Sequence, residues 1–447
     1  MNAKGRRIAA ILAALALAGV AGCSQRRLPP LSDEALLDSV ERRTFEYFWT
    51  GAEPNSGLAR ERINMDGIYP EHDETVVTTG GSGFGLLALV AGIERGYITR
   101  LQGVERFERI VGFLERADRF HGAWPHWMEG TTGRVKPFGK MDDGGDLVET
   151  AFLVQGLLAV HQYFAGGDAR EQALARRIDA LWRGVEWSWY RNGRDVLYWH
   201  WSPRYDWAMD FPVHGFNECM VMYLLAAASP THPVGREVYA GGWAENGAIV
   251  DPHEVEGYLL HLRYQGVEAG PLFWAHYSFL GFDPRGLRDL YCDDYGVEMR
   301  RYSLVNRAYC IRNPKHYKGF GRDCWGLTAS YSTAGYAAHA PLEREDRGVI
   351  APTAALSSIV YTPEESMAVM RHLYGVLGDR VWGPYGFYDA FSQTENWYPQ
   401  RYLAIDQGPI AVMIENYRSE LLWRLFMSHP DVRCGMRKLG MESTRWQ

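Results

Sequence analysis

The chain has 447 residues, 47% hydrophobic and 23% charged, a globular balance that excludes a disordered chain. Its formal net charge of −7 argues against a nucleic-acid partner, which asks for a basic face. Aromatic residues make up 13%, with 16 Trp and 26 Tyr, more than a core needs; such rings suit sugars as well as cores.

The N-terminus reads as a targeting segment. Lys4, Arg6 and Arg7 precede an apolar run from Ile8 to Val20, too short and wrongly flanked for an ordinary membrane span. The run ends in Val20-Ala21-Gly22-Cys23, the small-residue pattern of a bacterial lipobox, so Cys23 is the expected lipidation site. Residues 1–22 are then a lipoprotein signal peptide, 23–31 a lipidated tether with Pro29 and Pro30, and 32–447 one folded domain. Ser24 rather than Asp follows the Cys, which favours an outer-membrane anchor facing the periplasm.

Ser32 and Asp33 should cap a first helix from Glu34 to Trp49. The segment 61–79 reads as irregular. Gly80 to Gly85 leads into a second helix, Leu86 to Gly92, and is no nucleotide loop, since it lacks a preceding strand and a Walker Lys. A third helix is expected near Val104 to Arg119, then the ring-rich loop His121 to Trp127. Further helices are expected near 170–190, 213–225, 234–242, 272–280, 287–311, 353–359, 363–377 and 410–426. About a dozen helices with few strands predict an all-α array or toroid.

The stretch Lys140 to Val160 organises the chain. It starts as a turn and continues as a helix whose apolar set is Leu147, Ala151, Val154 and Leu158. Asp142, Asp146 and Glu149 stand at i, i+4 and i+7, one face if the helix begins at the first of them. Two readings stay open: carboxylates aimed at a site, or a cap followed by solvated acids. Glu218 repeats the pattern, expected in the first turn of an apolar helix beside His214 and Asn217. Two helix-borne carboxylates on opposite walls suit glycoside hydrolysis, one protonating the leaving oxygen and the other activating water or attacking the sugar.

Cys219, Cys292, Cys310, Cys324 and Cys434 are odd in number, so at least one thiol stays free, and no Cys/His spacing suggests zinc. No metal and no cofactor is expected.

Met141-Asp-Asp-Gly-Gly-Asp-Leu-Val-Glu-Thr-Ala, His214-Gly-Phe-Asn-Glu-Cys, Ala351-Pro-Thr-Ala-Ala-Leu-Ser-Ser, Trp382 to Phe391 and Tyr402 to Tyr417 resemble the glucoamylase-like proteins of glycoside hydrolase family 144. The resemblance runs from about Ser32 to Met427. It implies an (α/α)6 barrel and hydrolysis of β-1,2-glucan, by endo attack or by release of sophorose. It also implies catalytic roles among Asp142, Asp146, Glu149 and Glu218, with Glu149 and Glu218 as the expected acid–base pair. One departure stands out: the family has an Asp after Trp-Gly-Leu-Thr-Ala-Ser, where this chain has Tyr331.

Expected substrate contacts are Arg62, Trp127, His200, Trp201, His214, Tyr388, Gln393, Glu395, Trp397, Asp406 and Gln407. Trp124, Trp199, Tyr385 and Phe387 are further stacking candidates, and His126 is a candidate for hydroxyls. The acid-rich cleft and the resemblance both point to an inverting reaction on a neutral β-glucan. The expected protein is a monomer that meets the membrane only through its lipid and binds no nucleic acid. Two other classes compete. A non-catalytic glycan-binding lipoprotein would keep the rings without needing acids at both 149 and 218. A polysaccharide lyase on the same toroid would want a basic cleft.

Overall fold

The computed structural model describes residues 28–264 and 268–446, without the side chains of residues 70–72. Cys23, the expected signal peptide and the first part of the expected tether lie outside the described residues.

Helices that are apolar all round must be buried all round. Thr79–Glu94 (α2) is buried from Thr79 through Ile93, Leu147–Phe164 (α4) from Leu147 through Val160, and Met220–Ala228 (α6) throughout. These form an inner ring with the 3-10 turns Leu272–Ala275 and Tyr277–Phe279, with Pro352–Leu356 (α8) and its extension Ser357–Val360, and with Ala404–Ser419 (α10). His276 Nε2 meets Ser358 Oγ at 3.0 Å and Tyr361 OH donates to Ala275 O at 2.8 Å, joining the turns to α8. Packing of α10 on α2 closes the ring.

Amphipathic helices cover it. Asp33–Trp49 (α1) packs on α2 and α10; Arg100–Leu114 (α3) and Ala169–Arg183 (α5) pack side by side. Helix α5 buries Leu174, Ile178, Leu181 and Trp182, a stripe at helical spacing. Thr99 with Gln102, and Asp168 with Glu171, form reciprocal capping boxes that start α3 and α5. Tyr295–Arg312 (α7), Pro363–Val381 (α9), Leu421–Ser428 (α11) and Pro430–Leu439 (α12) complete the shell. The result is the all-α toroid that the helix count predicts.

Short strand pairs fix the helix entrances. Val76–Thr78 pairs with Trp127–Glu129 just before α2, Gly145–Asp146 with His200–Trp201 just before α4, and Arg401–Leu403 with Arg62–Asn64 just before α10. The hairpin Ala329–Ser332/Gly335–Ala338 stands apart from these.

Four local expectations need correction. Gly80 to Gly85 lie inside α2 rather than before it. Helix α4 touches the backbone at Gly83: a Cβ on Gly83 would sit 2.2 Å from Phe152 O, and one on Gly156 would sit 2.2 Å from Gly83 O, while a Cβ on Gly85 would meet Phe48 of the first helix at 2.5 Å. Asp142 is not on the helical face of Glu149, since α4 begins at Leu147 with Asp146 as its N-cap. Glu218 precedes α6, which begins at Met220. The expected helix 410–426 is two helices, broken at Glu420 in the left-handed region (φ 58°). The five described cysteines are all unpaired, and all but Cys434 are buried.

Candidate active site

The entrances of α2, α4, α6 and α10 open on a cleft of about 400 Å³. Glu149 and Glu218 line it, as do Arg62 and Glu61, which form an ion pair. Trp127, Phe138, Trp199, Tyr277, Tyr331 and Tyr336 supply its aromatic walls. The Arg62 guanidinium lies over both Trp127 and Tyr331.

Asp146 is the hub of the acidic wall and is wholly buried. As N-cap of α4 its Oδ1 accepts from Glu149 N at 2.8 Å. Its Oδ2 accepts from His126 Nδ1 at 2.8 Å and from Trp199 Nε1 at 2.7 Å. Glu149 comes one turn later, and its Oε2 accepts from Gly80 N at 2.6 Å and Thr78 Oγ1 at 3.4 Å. Gly80 is therefore doubly required: its amide donates, and a Cβ on it would sit 2.6 Å from that same carboxylate oxygen.

Glu218 is set by a different device. Asn217 Oδ1 accepts from Cys219 N at 2.8 Å, turning the chain into α6, while Ser278 Oγ donates to Glu218 O at 2.5 Å. Its carboxyl reaches the cleft.

Burial, reinforced by Glu149 and Asp146, pushes the Glu218 carboxyl up to about 7. Burial also raises Glu149, against the opposing pull of the His126 charge and of the Gly80 and Thr78 donors. Asp142 rises to about 7, through burial first and then Asp146. For His126, burial opposes the charge, but Glu149, Asp146 and Asp142 outweigh it and carry the imidazole up to about 10. The acidic wall thus contains its own cation.

His126, Asp142 and Asp146 present donor atoms within 4.8 Å of one another. Within the trio His126 and Asp146 are hydrogen-bonded to each other, Asp146 Oδ2 also accepts from Trp199 Nε1, and Asp142 stands beside them with its Oδ2 3.7 Å from His126 Nδ1.

Asp389 and Asp406 form a second carboxyl pair, 2% and 1% exposed. Tyr331 N donates to Asp389 Oδ2 at 2.9 Å, tying the hairpin to the pair. Burial and then the Asp389 charge hold Asp406 well above the usual carboxylate range. Sequence reasoning singled out Asp406 but missed Asp389, although it lies in the Trp382–Phe391 block. His126, a candidate for hydroxyls, lines the cleft as expected, while Glu61, Tyr331 and Tyr336 line it outside the expected set of contacts.

The remaining expected contacts are placed as follows. Arg62 and Trp127 line the cleft. His200 is buried behind the acidic wall, 3.3 Å from Asp142 Oδ1. Trp201 lies edge-on to His121, with ring centroids 4.9 Å apart. His214 is bound to Gly242 O at 3.2 Å. Tyr388 packs in the core on Tyr402, and Gln407 donates to Phe387 O at 3.0 Å. Gln393, Glu395 and Trp397 sit on the turn that Ser392 and Trp397 close, away from the cleft lining. Trp124 is wholly buried, donating to Leu114 O.

Residues 210–430 match the family model described as "Putative glucoamylase". The chain is 63% identical to the solved endo-β-1,2-glucanase from Chitinophaga pinensis, in complex with sophorotriose and glucose; the match covers 93% of this chain and 99% of that one, with a TM-score of 0.92. It is 46% identical, over 92% of its length, to an exo β-1,2-glucooligosaccharide sophorohydrolase (non-reducing end) from Parabacteroides distasonis. It spans 58% of that curated relative's length. The Talaromyces funiculosus endo-β-1,2-glucanase shares the fold at 11% identity, with a TM-score of 0.63.

Proposed function

Because the chain belongs to the glucoamylase-like β-1,2-glucanase family of glycoside hydrolases, we propose that it hydrolyses β-1,2-linked glucan in this cleft, with Glu218 as general acid and Glu149 as the carboxylate that activates water. One observation carries the pairing. Both carboxyls line one cleft, yet only Glu149 faces two donors and an imidazolium, while Glu218, raised to about 7, keeps its proton near neutrality. An acid whose pKa sits near the working pH protonates a leaving oxygen most effectively. The aromatic walls receive the apolar faces of the sugar rings.

Endo attack is the favoured mode, supported by the greater identity and fuller coverage of the endo-acting relative. The test is incubation of the purified protein with linear β-1,2-glucan, laminarin, cellulose oligomers and starch. Only the first should be cut, with long intermediates appearing before sophorose. Cleavage of starch, or sophorose as the sole early product, would overturn the substrate or the mode respectively.

A second assignment of the base has its own observation. Asp406, with Asp389 against it, enters α10 beside cleft-lining Leu403 and Ile405. Under that assignment Asp406→Asn abolishes turnover and Glu149→Gln chiefly weakens binding; under the first, the two effects exchange.

The expected lipobox supports anchoring through Cys23 to the outer membrane, facing the periplasm. A neutral glucan cleaved there would be met by an enzyme held at the cell envelope.

A further inference from the structure

We propose that Trp189, Trp201 and Phe211 form an aromatic ledge outside the cleft, which binds a neutral glucan chain where it leaves the acidic wall. The linkage of that chain rests on the glucanase reading; the ledge rests on the geometry of the loops that carry it.

Between α5 and Glu218 the chain makes a long excursion whose two arms pair with each other. Trp199 N donates to Phe211 O at 3.0 Å and Val213 N to Leu197 O at 2.9 Å, with Tyr198 bridged to Pro212. The first arm also pairs with the entrance of α4, Gly145 opposite Trp201 and Asp146 opposite His200. Side chains alternate along a strand. His200 turns inward and is 2% exposed, so Trp199 and Trp201 share the other face. Two residues of strand separate them by about 6.6 Å, the scale of one sugar ring.

Trp199 belongs to the cleft: its ring lines the wall and its Nε1 donates to Asp146 Oδ2. The aromatic surface continues from it in two directions. Phe211 lies flat against Trp199, with centroids 5.3 Å apart and planes 19° apart, yet the residue is 44% exposed. Trp201 stands edge-on to His121 at 4.9 Å, and His121 is stacked on Trp189 at 3.7 Å. Trp189 is 41% exposed, with its ring centroid 6.3 Å from those of Trp201 and Trp207. None of these outer rings lines the cleft itself.

Single exposed rings are ordinary on a protein surface, but a contiguous aromatic surface with a polar rim marks a binding site. The rim here includes Glu186, whose Oε2 meets His121 Nδ1 at 3.1 Å, and the exposed Asp206 and Asp210, which flank Trp207 and Phe211 in the chain. Among the described residues the indole N–H groups of Trp201 and Trp207 have no acceptor, and neither is enclosed. Flat apolar faces beside open N–H donors and carboxylate acceptors match a sugar, which offers C–H faces and hydroxyl edges. Continuity with the cleft through Trp199 says which sugar chain arrives there. The backbone is committed to the arrangement as well. His121, Asp206 and Asp210 take φ of 48°, 50° and 41°, a region that residues other than glycine hold when their surroundings fix them.

The test compares long and short substrates. On linear β-1,2-glucan, Trp189→Ala should raise KM by about two- to tenfold, the worth of one aromatic contact, with kcat moving less. On the shortest β-1,2-gluco-oligosaccharide that the enzyme cuts, the rise should shrink to below about twofold. Trp189→Phe, which keeps a ring, should recover most of the loss on the long chain. An equal rise on long and short substrates, or no rise on the long one, would overturn the ledge. Should Trp189→Ala fail to fold, Phe211→Leu, which keeps bulk and loses the flat face, decides by the same comparison. Binding is read separately by migration through native gels holding linear β-1,2-glucan, laminarin or no polysaccharide, with Glu218→Gln in every sample. The retarding glucan should retard Trp189→Ala less, and equal retardation would overturn the ledge. Self-association in sedimentation that Trp189→Ala abolishes would also overturn it, giving the rings to a second copy of the chain. A wild-type enzyme that leaves β-1,2-glucan uncut refutes the proposed substrate, and the gels still decide the ledge: retardation by laminarin that Trp189→Ala loses would support it.

Discussion

Replacing Glu218 with Gln should abolish turnover and, at alkaline pH, stabilise the fold. The carboxyl is 7% exposed and raised from 4.5 to about 7, chiefly by burial. At about 1.4 kcal/mol per pH unit, the ionised form is disfavoured in the folded protein by about 3 kcal/mol. The folded value lies above the unfolded one. The stability contributed by the protonated form is therefore fully present below about pH 4.5 and lost as pH rises through about 7. Glu218→Gln keeps the shape and removes the ionisation. The variant should match the wild type near pH 4.5 and exceed it by about 3 kcal/mol near pH 8.5. Its kcat should fall by on the order of 10²–10⁴-fold, the range of a lost general acid. Denaturant unfolding of both proteins from pH 4.5 to 8.5 supplies the measurement, with initial rates on β-1,2-glucan beside it. A stability difference that stays flat with pH, or a variant less stable at pH 8.5, would refute the electrostatic reasoning.

Gly83→Ala places a methyl 2.2 Å from the Phe152 carbonyl, so α2 and α4 must separate; a loss of about 1–3 kcal/mol in denaturant unfolding is expected, with Glu149 displaced and activity reduced. Following anomers by NMR early in hydrolysis should show inversion, an α-configured first product from a β-glucan, and a β-configured first product would point to a covalent glycosyl intermediate. Cys23→Ala should release the protein from membranes or leave the precursor uncleaved, and unchanged fractionation would dispose of the lipobox reading.

What the sequence disclosed follows from what governs each feature. The apolar runs of α2, α4 and α6 declare buried helices because helix burial is a local pattern. The cap of α4 was misplaced by a few residues, since Asp142, Asp143 and Asp146 are all acceptable caps; only pairing of Gly145–Asp146 with His200–Trp201 selects Asp146. The site survived that error, because Asp142 reaches the acidic wall from a turn instead of a helix face. His126 was read only as a hydroxyl contact. Its charge depends on three carboxylates, one of them 23 residues on, which no local pattern announces. Asp389 was missed for the same reason: an Asp between Tyr388 and Ala390 looks like loop chemistry until Tyr331 N and Asp406 are brought to it. The glycines of α2 misled in the opposite direction, since glycine ordinarily breaks helices and here admits a neighbouring one.

The closure of the inner ring has a consequence for the order in which the protein matures. Arg95, at the end of α2, bonds Glu415 in α10 at 2.6 Å across 320 residues, and Arg371 pairs with Asp33 across 338. Helix α2 carries Gly80, which holds Glu149, and its far side is sealed by α10, where Gly408 lies against Phe84. The acidic wall is therefore encoded in the first half of the chain but cannot be desolvated until the last quarter has arrived. Contacts of such sequence separation make folding slow, because loop closure precedes the reward of packing. A ribosome-bound or partly translocated chain holding residues up to about 400 would carry every member of the Glu149–Glu218 wall and still have no catalyst.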